Sequence, residues 1–185
     1  DTRKALVADA AVEAGAEMLN DVSAMEFDPA MAELAAITGL PICLMHAQGL
    51  PETMQDDPEY GDVLLDVYDY LEARIALAEA QGIAREQIVV DPGIGFGKTV
   101  AHNLALVRGL GLFHGLGCPI LLGVSRKRFI GTVAGVETAE ARLPGTLAVT
   151  LAGIAQGAQI HRVHDVAEIA QGVRLWAAIT KGYEQ

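Results

Sequence analysis

The sequence predicts a parallel α/β fold, a portion of a TIM (β/α)8 barrel, and three observations carry that reading. Helix-like stretches alternate with short apolar runs along the chain. Glycine stands at most helix exits. Polar and special residues gather just after the apolar runs, at Asn20-Asp21, His46, Asp91-Pro-Gly93, Gly123-Val-Ser-Arg-Lys127 and His164-Asp165. Short continuous apolar runs read as strands buried on both faces. Alternation of such strands with helices gives an open doubly wound sheet or a barrel. Functional groups at the C-terminal ends of many successive strands are the barrel arrangement, whereas an open sheet concentrates them at one switch point.

The elements follow in order. A helix is expected over 4–14, ended by Gly15, then a strand over 17–20. A helix over 28–38 stops at Gly39, and the run 40–45 is the second strand. A long helix over 61–81 stops at Gly82 and leads to a strand over 87–90. A helix over 102–110 precedes the run 118–122. Helices over 126–134 and 139–156 follow, the second ended by Gly157. The last strand covers 158–163, and the last helix runs to about Thr180. Glycine at these exits provides the left-handed residue that closes a helix. Five strands do not close a barrel, which takes about 250 residues, so further strands are expected ahead of Asp1.

Composition narrows the function classes. The chain has 185 residues, 51% hydrophobic and 20% charged, as in one globular domain. Its net charge of −11 argues against nucleic acid, which needs clustered Lys and Arg. It leaves room for a small anion at a site with a few placed cations. No apolar run approaches the ~20 residues needed to cross a bilayer. The polar start Asp1-Thr-Arg-Lys4 has no apolar stretch behind it, so no secretory leader is expected. Cys43 and Cys118 sit in apolar runs. They read as buried reduced thiols rather than a disulfide, which fits a cytoplasmic protein.

The densest signal is Asp91-Pro-Gly-Ile-Gly-Phe-Gly-Lys98. Alternating glycines let backbone approach a ligand, and Pro92 stops the strand. Asp91 can accept two hydrogen bonds from a planar N–H/NH₂ edge. The spacing fits neither the dinucleotide fingerprint nor the Walker loop. The plainer alternative is a flexible turn with a helix cap. Gly123-Val-Ser-Arg-Lys-Arg128 puts three cations and a hydroxyl at a strand end, suited to an anion or a polar ring. A solvated basic helix start is its alternative, though the helix dipole opposes that. Arg162 and His164 share one strand face and could clamp a diphosphate, or simply end a surface strand. His161 points the other way and reads as structural. Asn20 offers a donor and an acceptor. Met45 is an apolar wall or an ordinary core residue. His46 reads as structural more readily than catalytic. No zinc spacing and no Ser-His-Asp or Gly-x-Ser-x-Gly pattern occurs.

Taken in order, these residues resemble the dihydropteroate synthase family of folate-pathway barrels. The matching segments are Asp1-Thr-Arg-Lys4, Asn20-Asp-Val22, Leu44-Met-His-Ala-Gln-Gly49, Pro51-Glu-Thr-Met-Gln55 with Pro58 and Tyr60, Asp91 to Lys98, Ser125-Arg-Lys127 and Arg162-Val-His-Asp165. The resemblance implies condensation of 4-aminobenzoate with 7,8-dihydropterin-6-ylmethyl diphosphate, in an enzyme that sulfonamides target. It assigns Asp91, Asn20 and Lys127 to the pterin ring, with Asp1 near it. Val22, Met45 and Gly123 would line the slot, and Phe96 would border the aminobenzoate. Arg162 and His164 would hold the diphosphate with Mg²⁺ assisting, and Ser125 and Arg126 would lie close by. Position 128, often a small hydroxyl residue in the family, is Arg128, which could give the aminobenzoate carboxylate a charge partner.

By the family's pattern the chain holds about strands four to eight. The Mg²⁺ Asn and a lid loop are then expected outside it, and these 185 residues alone are expected to be nearly inactive. A homodimer through the late helices is implied, with Leu143 to Ile154 as contact or core. Two rivals share features of the reading. A methyltetrahydrofolate-type methyltransferase has the same ring-reading pair but no need of a diphosphate clamp. A non-catalytic fragment that only binds pterin is the other.

Overall fold

The computed structural model describes residues 1–49, 54 and 56–182. Most of the matching segment Pro51-Glu-Thr-Met-Gln55 therefore lies outside the described residues. Five strands run β1 (Leu19–Asp21), β2 (Ile42–Met45), β3 (Ile88–Asp91), β4 (Leu121–Leu122) and β5 (Ile160–His161). Seven helices accompany them: α1 (Ala5–Glu13), α2 (Ala30–Thr38), α3 (Val63–Ala80), α4 (Val100–Arg108), α5 (Arg128–Ala134), α6 (Leu143–Ala155) and α7 (Val166–Lys181).

All strand pairs are parallel. β2 lies between β1 and β3, β4 pairs with β5, and a bridge from Val90 to Ile120 joins the two groups. The spatial order is thus the chain order. A doubly wound open sheet reverses its order at a switch point, and no reversal occurs among the described strands.

β2 and β3 are buried at every position, as parallel strands covered on both faces must be. Their outward residues Ile42, Leu44, Ile88 and Val90, with Ile120 and Leu122 at β4, join the helices in the main core. Val67, Leu71, Ile75 and Ala78 of α3 form one stripe facing that core. Asp62 starts α3 by accepting hydrogen bonds from the Leu64 and Leu65 amides at 2.9 and 3.2 Å, satisfying donors the first turn leaves unpaired.

The late strands are shorter than the sequence suggests. The run 118–122 yields a two-residue strand because Pro119 has no N–H to give and Gly117 turns the chain at φ 71°. The helix expected over 139–156 begins at Leu143, after a 3₁₀ turn over Glu140–Arg142. A further 3₁₀ segment, Leu110–Leu116, extends α4.

Candidate functional site

Strand side chains alternate with a period of two, and that period sorts the site. Met18, Cys43, Val89, Leu121 and Ile160 pack together on the face turned away from the main core. Continuing each strand by two residues brings Asn20 and Val22, Met45, Asp91, Gly123, Arg162 and His164 to the same face. At the C-terminal strand ends this face opens into a cavity of about 260 Å³. Its walls are Asp1, Asn20, Val22, Met45, Asp91, Phe96, Gly123, Ser125, Lys127, Arg162 and His164, with Ile94 added. Leaving aside Arg128, eleven of the twelve residues that the resemblance places at the site therefore meet in one place.

Arg126 is the exception. It is left-handed at φ 57°, and its guanidinium turns away to Asp165, at 3.1 and 2.5 Å. It lines a neighbouring cavity of about 500 Å³ with Gly95, Lys98, Asn103 and Arg128. Lys127 belongs to both cavities.

One end of the first cavity presents a buried carboxylate and an amide. Asp91 is 5% exposed and accepts the Gly93 amide at 2.7 Å. Burial raises its carboxyl to about 6, against the Gly93 amide and the charges of Lys127, Lys98 and Arg162. Asn20 donates to Asp1 at 2.8 Å, while its Oδ1 is buried and finds no donor among the described residues. A buried acceptor left open is uncommon and suits an N–H from a ligand. Burial lowers the Lys127 ammonium from its ordinary value, with Asp91 opposing and Arg162 adding. Its Nζ lies 4.1 Å from the centre of the Phe96 ring.

The other end holds Arg162 and His164. Arg162 meets Asp1 at 2.5 Å and is half exposed. His164 takes Ser125 Oγ at both its backbone N and its Nδ1, at 3.1 and 2.8 Å. Ser125 thus fixes the imidazole with Nε2 left over.

The Gly-rich turn forms the floor. An added Cβ at Gly93 would overlap the His46 carbonyl, and one at Gly97 the Gln48 carbonyl. Both glycines are left-handed, at φ 67° and 62°, so two constraints exclude other residues. Two participants escape the sequence reading. Ile94, buried at 1%, lines the first cavity, and nothing local separates it from a core residue. Lys98, the last residue of the motif, is 3% exposed, where a solvated lysine is the usual expectation. His161 faces the helices as read. Asp21 is a loop acceptor, taking Ser23 N, Ser23 Oγ and Met25 N at 2.9, 2.6 and 2.6 Å.

A sequence model of pterin binding enzymes matches residues 1–164. The dihydropteroate synthase of Escherichia coli K12 is 44% identical over 184 residues, which is all of this chain and 64% of that protein. The chain thus spans under two thirds of that relative's length. Among solved structures, the Yersinia pestis dihydropteroate synthase with a sulfonamide drug superposes with a TM-score of 0.94 at 39% identity, over 99% of this chain and 66% of that one. The Xanthomonas albilineans dihydropteroate synthase in complex with 7,8-dihydropteroate gives 0.90 at 40% identity, over 97% of this chain and 65% of that one.

Proposed function

This chain belongs to the pterin-binding enzyme family, and on that premise we propose that it serves the condensation of 4-aminobenzoate with 7,8-dihydropterin-6-ylmethyl diphosphate. The products are 7,8-dihydropteroate and diphosphate. One observation carries the reading: a single cavity has a ring-reading pair, Asp91 and Asn20, at one end and the Arg162 guanidinium with the His164 imidazole at the other, with Lys127 among its walls. The relative solved with 7,8-dihydropteroate supports it, because that product joins both halves. The five strands then correspond to the last five of a barrel of eight, in one domain covering this chain.

The chemistry follows from the walls. Asp91 accepts the N–H/NH₂ edge of the pterin, and Asn20 Oδ1 accepts a further ring N–H. Val22, Met45 and Gly123, which line the cavity, take the faces of the planar ring. The bond between the methylene carbon and the diphosphate oxygen breaks, and the electron pair leaves with the diphosphate. Arg162 and His164 stabilise the charge that develops there. The methylene cation is conjugated with the electron-rich ring, whose positive charge Asp91 offsets. The aminobenzoate nitrogen forms the new C–N bond and releases a proton. Its ring takes the Phe96 side, and Arg128 faces its carboxylate from the cavity beyond Lys127. No covalent nucleophile is needed.

Mg²⁺ is implied by the resemblance. No group of three or more His, Cys, Asp or Glu converges among the described residues. Their side chains do not build a cage for it, and no step above runs through it.

Calorimetry with the pterin diphosphate tests the site. Asp91→Ala and Lys127→Ala are each expected to weaken binding by roughly 10- to 100-fold, the scale of a hydrogen bond to a charged group. Parent affinity in both variants would refute the assignment. Binding that needs no diphosphate and turnover that needs a cobalamin protein would favour the methyltransferase reading instead.

A further inference from the structure

We infer that Lys98 is the positioning residue of this site, its buried ammonium tying the Gly93–Gly97 turn to the exit of β2 and setting a positive charge behind Asp91. The inference rests on the pterin reading only for what the turn positions.

Lys98 is nearly inaccessible, at 3% exposure, and among the described residues no carboxylate lies within salt-bridge distance of it. A buried ammonium without a paired anion is costly, so its placement calls for a reason. Its Nζ donates to the Phe96 carbonyl at 3.0 Å and to His46 Nδ1 at 2.9 Å. Burial first, and then Lys98 itself, hold His46 down to about 3. The imidazole is therefore neutral, with Nδ1 accepting and the proton on Nε2. Tyr70 packs edge-on against that ring at 4.8 Å. The turn is pinned elsewhere by neutral groups: Tyr60 Oη donates to the Gly97 carbonyl at 2.7 Å, and the Gly95 amide donates to Asn103 at 2.7 Å. Lys98 is a charged member of this scaffold, and it holds the carbonyl of the residue whose ring stands under Lys127.

The charge also reaches Asp91. Groups facing Lys98 are Asp91 from β3, Lys127 from the loop after β4, His46 from the end of β2, and Tyr60, whose ring centre is 6.0 Å from Nζ. Groups facing Asp91 are Lys127, Lys98 and Arg162, with the neutral Cys43 thiol beside it. Burial pulls Lys98 down to about 7, Asp91 opposing and Lys127 adding. Burial pushes Asp91 up, and Lys98 is one of three cations holding it back. Removing that cation leaves the push less opposed, so the carboxyl must climb.

Two readouts on the parent, Lys98→Met, Lys98→Gln and Lys98→Arg separate this inference from the pterin reading. The first is the titration of the Asp91 carboxyl carbon by NMR in ligand-free protein. Its midpoint is expected to rise by roughly one pH unit in Lys98→Met and Lys98→Gln and to stay near the parent's in Lys98→Arg. The second is pterin diphosphate affinity between pH 5 and 9. Its acid limb is expected to move up by the same amount, with binding about fivefold weaker at the parent midpoint and roughly tenfold weaker well below it, since one pH unit is a factor of ten. An unmoved NMR midpoint in both neutral variants overturns the inference, as does an affinity loss of equal size at every pH. A moved midpoint in a protein that does not bind the pterin diphosphate upholds the role of Lys98 and refutes the pterin reading.

Discussion

Asp91 shows how a residue whose charge is unfavourable for the fold can stand at the centre of the proposed site. Its carboxyl stands at about 6 in the folded chain against 3.8 for the free group. In the unfolded chain it gives up its proton at lower pH. Between pH 4 and 6 the native state therefore holds more protons, and stability falls as pH rises through that window. Above pH 6 the cost is roughly 3 kcal/mol. Asp91→Asn keeps an acceptor for the Gly93 amide and removes the charge. The variant is expected to be more stable than the parent at pH 8, by up to ~3 kcal/mol, and no more stable at pH 4. Its pterin affinity should nonetheless fall. Paired denaturant titrations at the two pH values check this, and an equal difference at both would refute a buried native charge as the cause.

At the scale of elements, the loops after β4 and β5 are zipped by two adjacent pairs, Ser125 with His164 and Arg126 with Asp165. Arg126 is held in its left-handed conformation from three sides. Its amide donates to the buried Thr146 hydroxyl at 3.0 Å, its carbonyl accepts Arg142 at 2.9 Å, and Asp165 takes its guanidinium. A non-glycine residue stays at positive φ only when its surroundings dictate it. The sequence expectation set Arg126 among the substrate contacts. Its geometry instead suits a clamp that aims Ser125 and Lys127 to opposite sides. Arg126→Gln and Asp165→Asn are each expected to weaken inorganic diphosphate binding by roughly tenfold, since small misplacements at a site are costly. The double variant should lose little more than either single. Full additivity would show that the two act separately.

Across the whole molecule, large exposed apolar side chains occur on several helices. The stretch Leu143 to Ile154, expected as contact or core, is helix α6. Its Thr146, Thr150 and Gly153 are buried against the sheet, and Leu147 lies where a side chain at Gly172 of α7 would go. The large exposed apolar side chains of the last helix are Val166 at its start, 63% exposed, and Leu175 and Ile179, at 64% and 74%, the last two one turn apart. We propose that α7 carries the homodimer contact the family resemblance implies. Sedimentation at micromolar concentration should then give a dimer for the parent and a monomer for the chain carrying Leu175→Glu and Ile179→Glu. A parent that sediments as a monomer throughout would refute it.

The sequence by itself determined the strand–helix alternation, because buried parallel strands need unbroken apolar runs and helices need exits that glycine provides. It also determined which residues end the strands. A period of two then puts Asn20, Met45, Asp91, Gly123, Arg162 and His164 on one face, so most of the cavity wall was legible. Only the tertiary structure decided the rest. Lys98 reads as an ordinary surface lysine until the turn folds over the exit of β2 and buries it. Arg126 reads as one more cation beside Lys127 until Asp165, 39 residues later, draws it away. In both cases the deciding partner is distant in the chain. Burial and direction of a charged side chain depend on what packs against it, and local pattern does not record that.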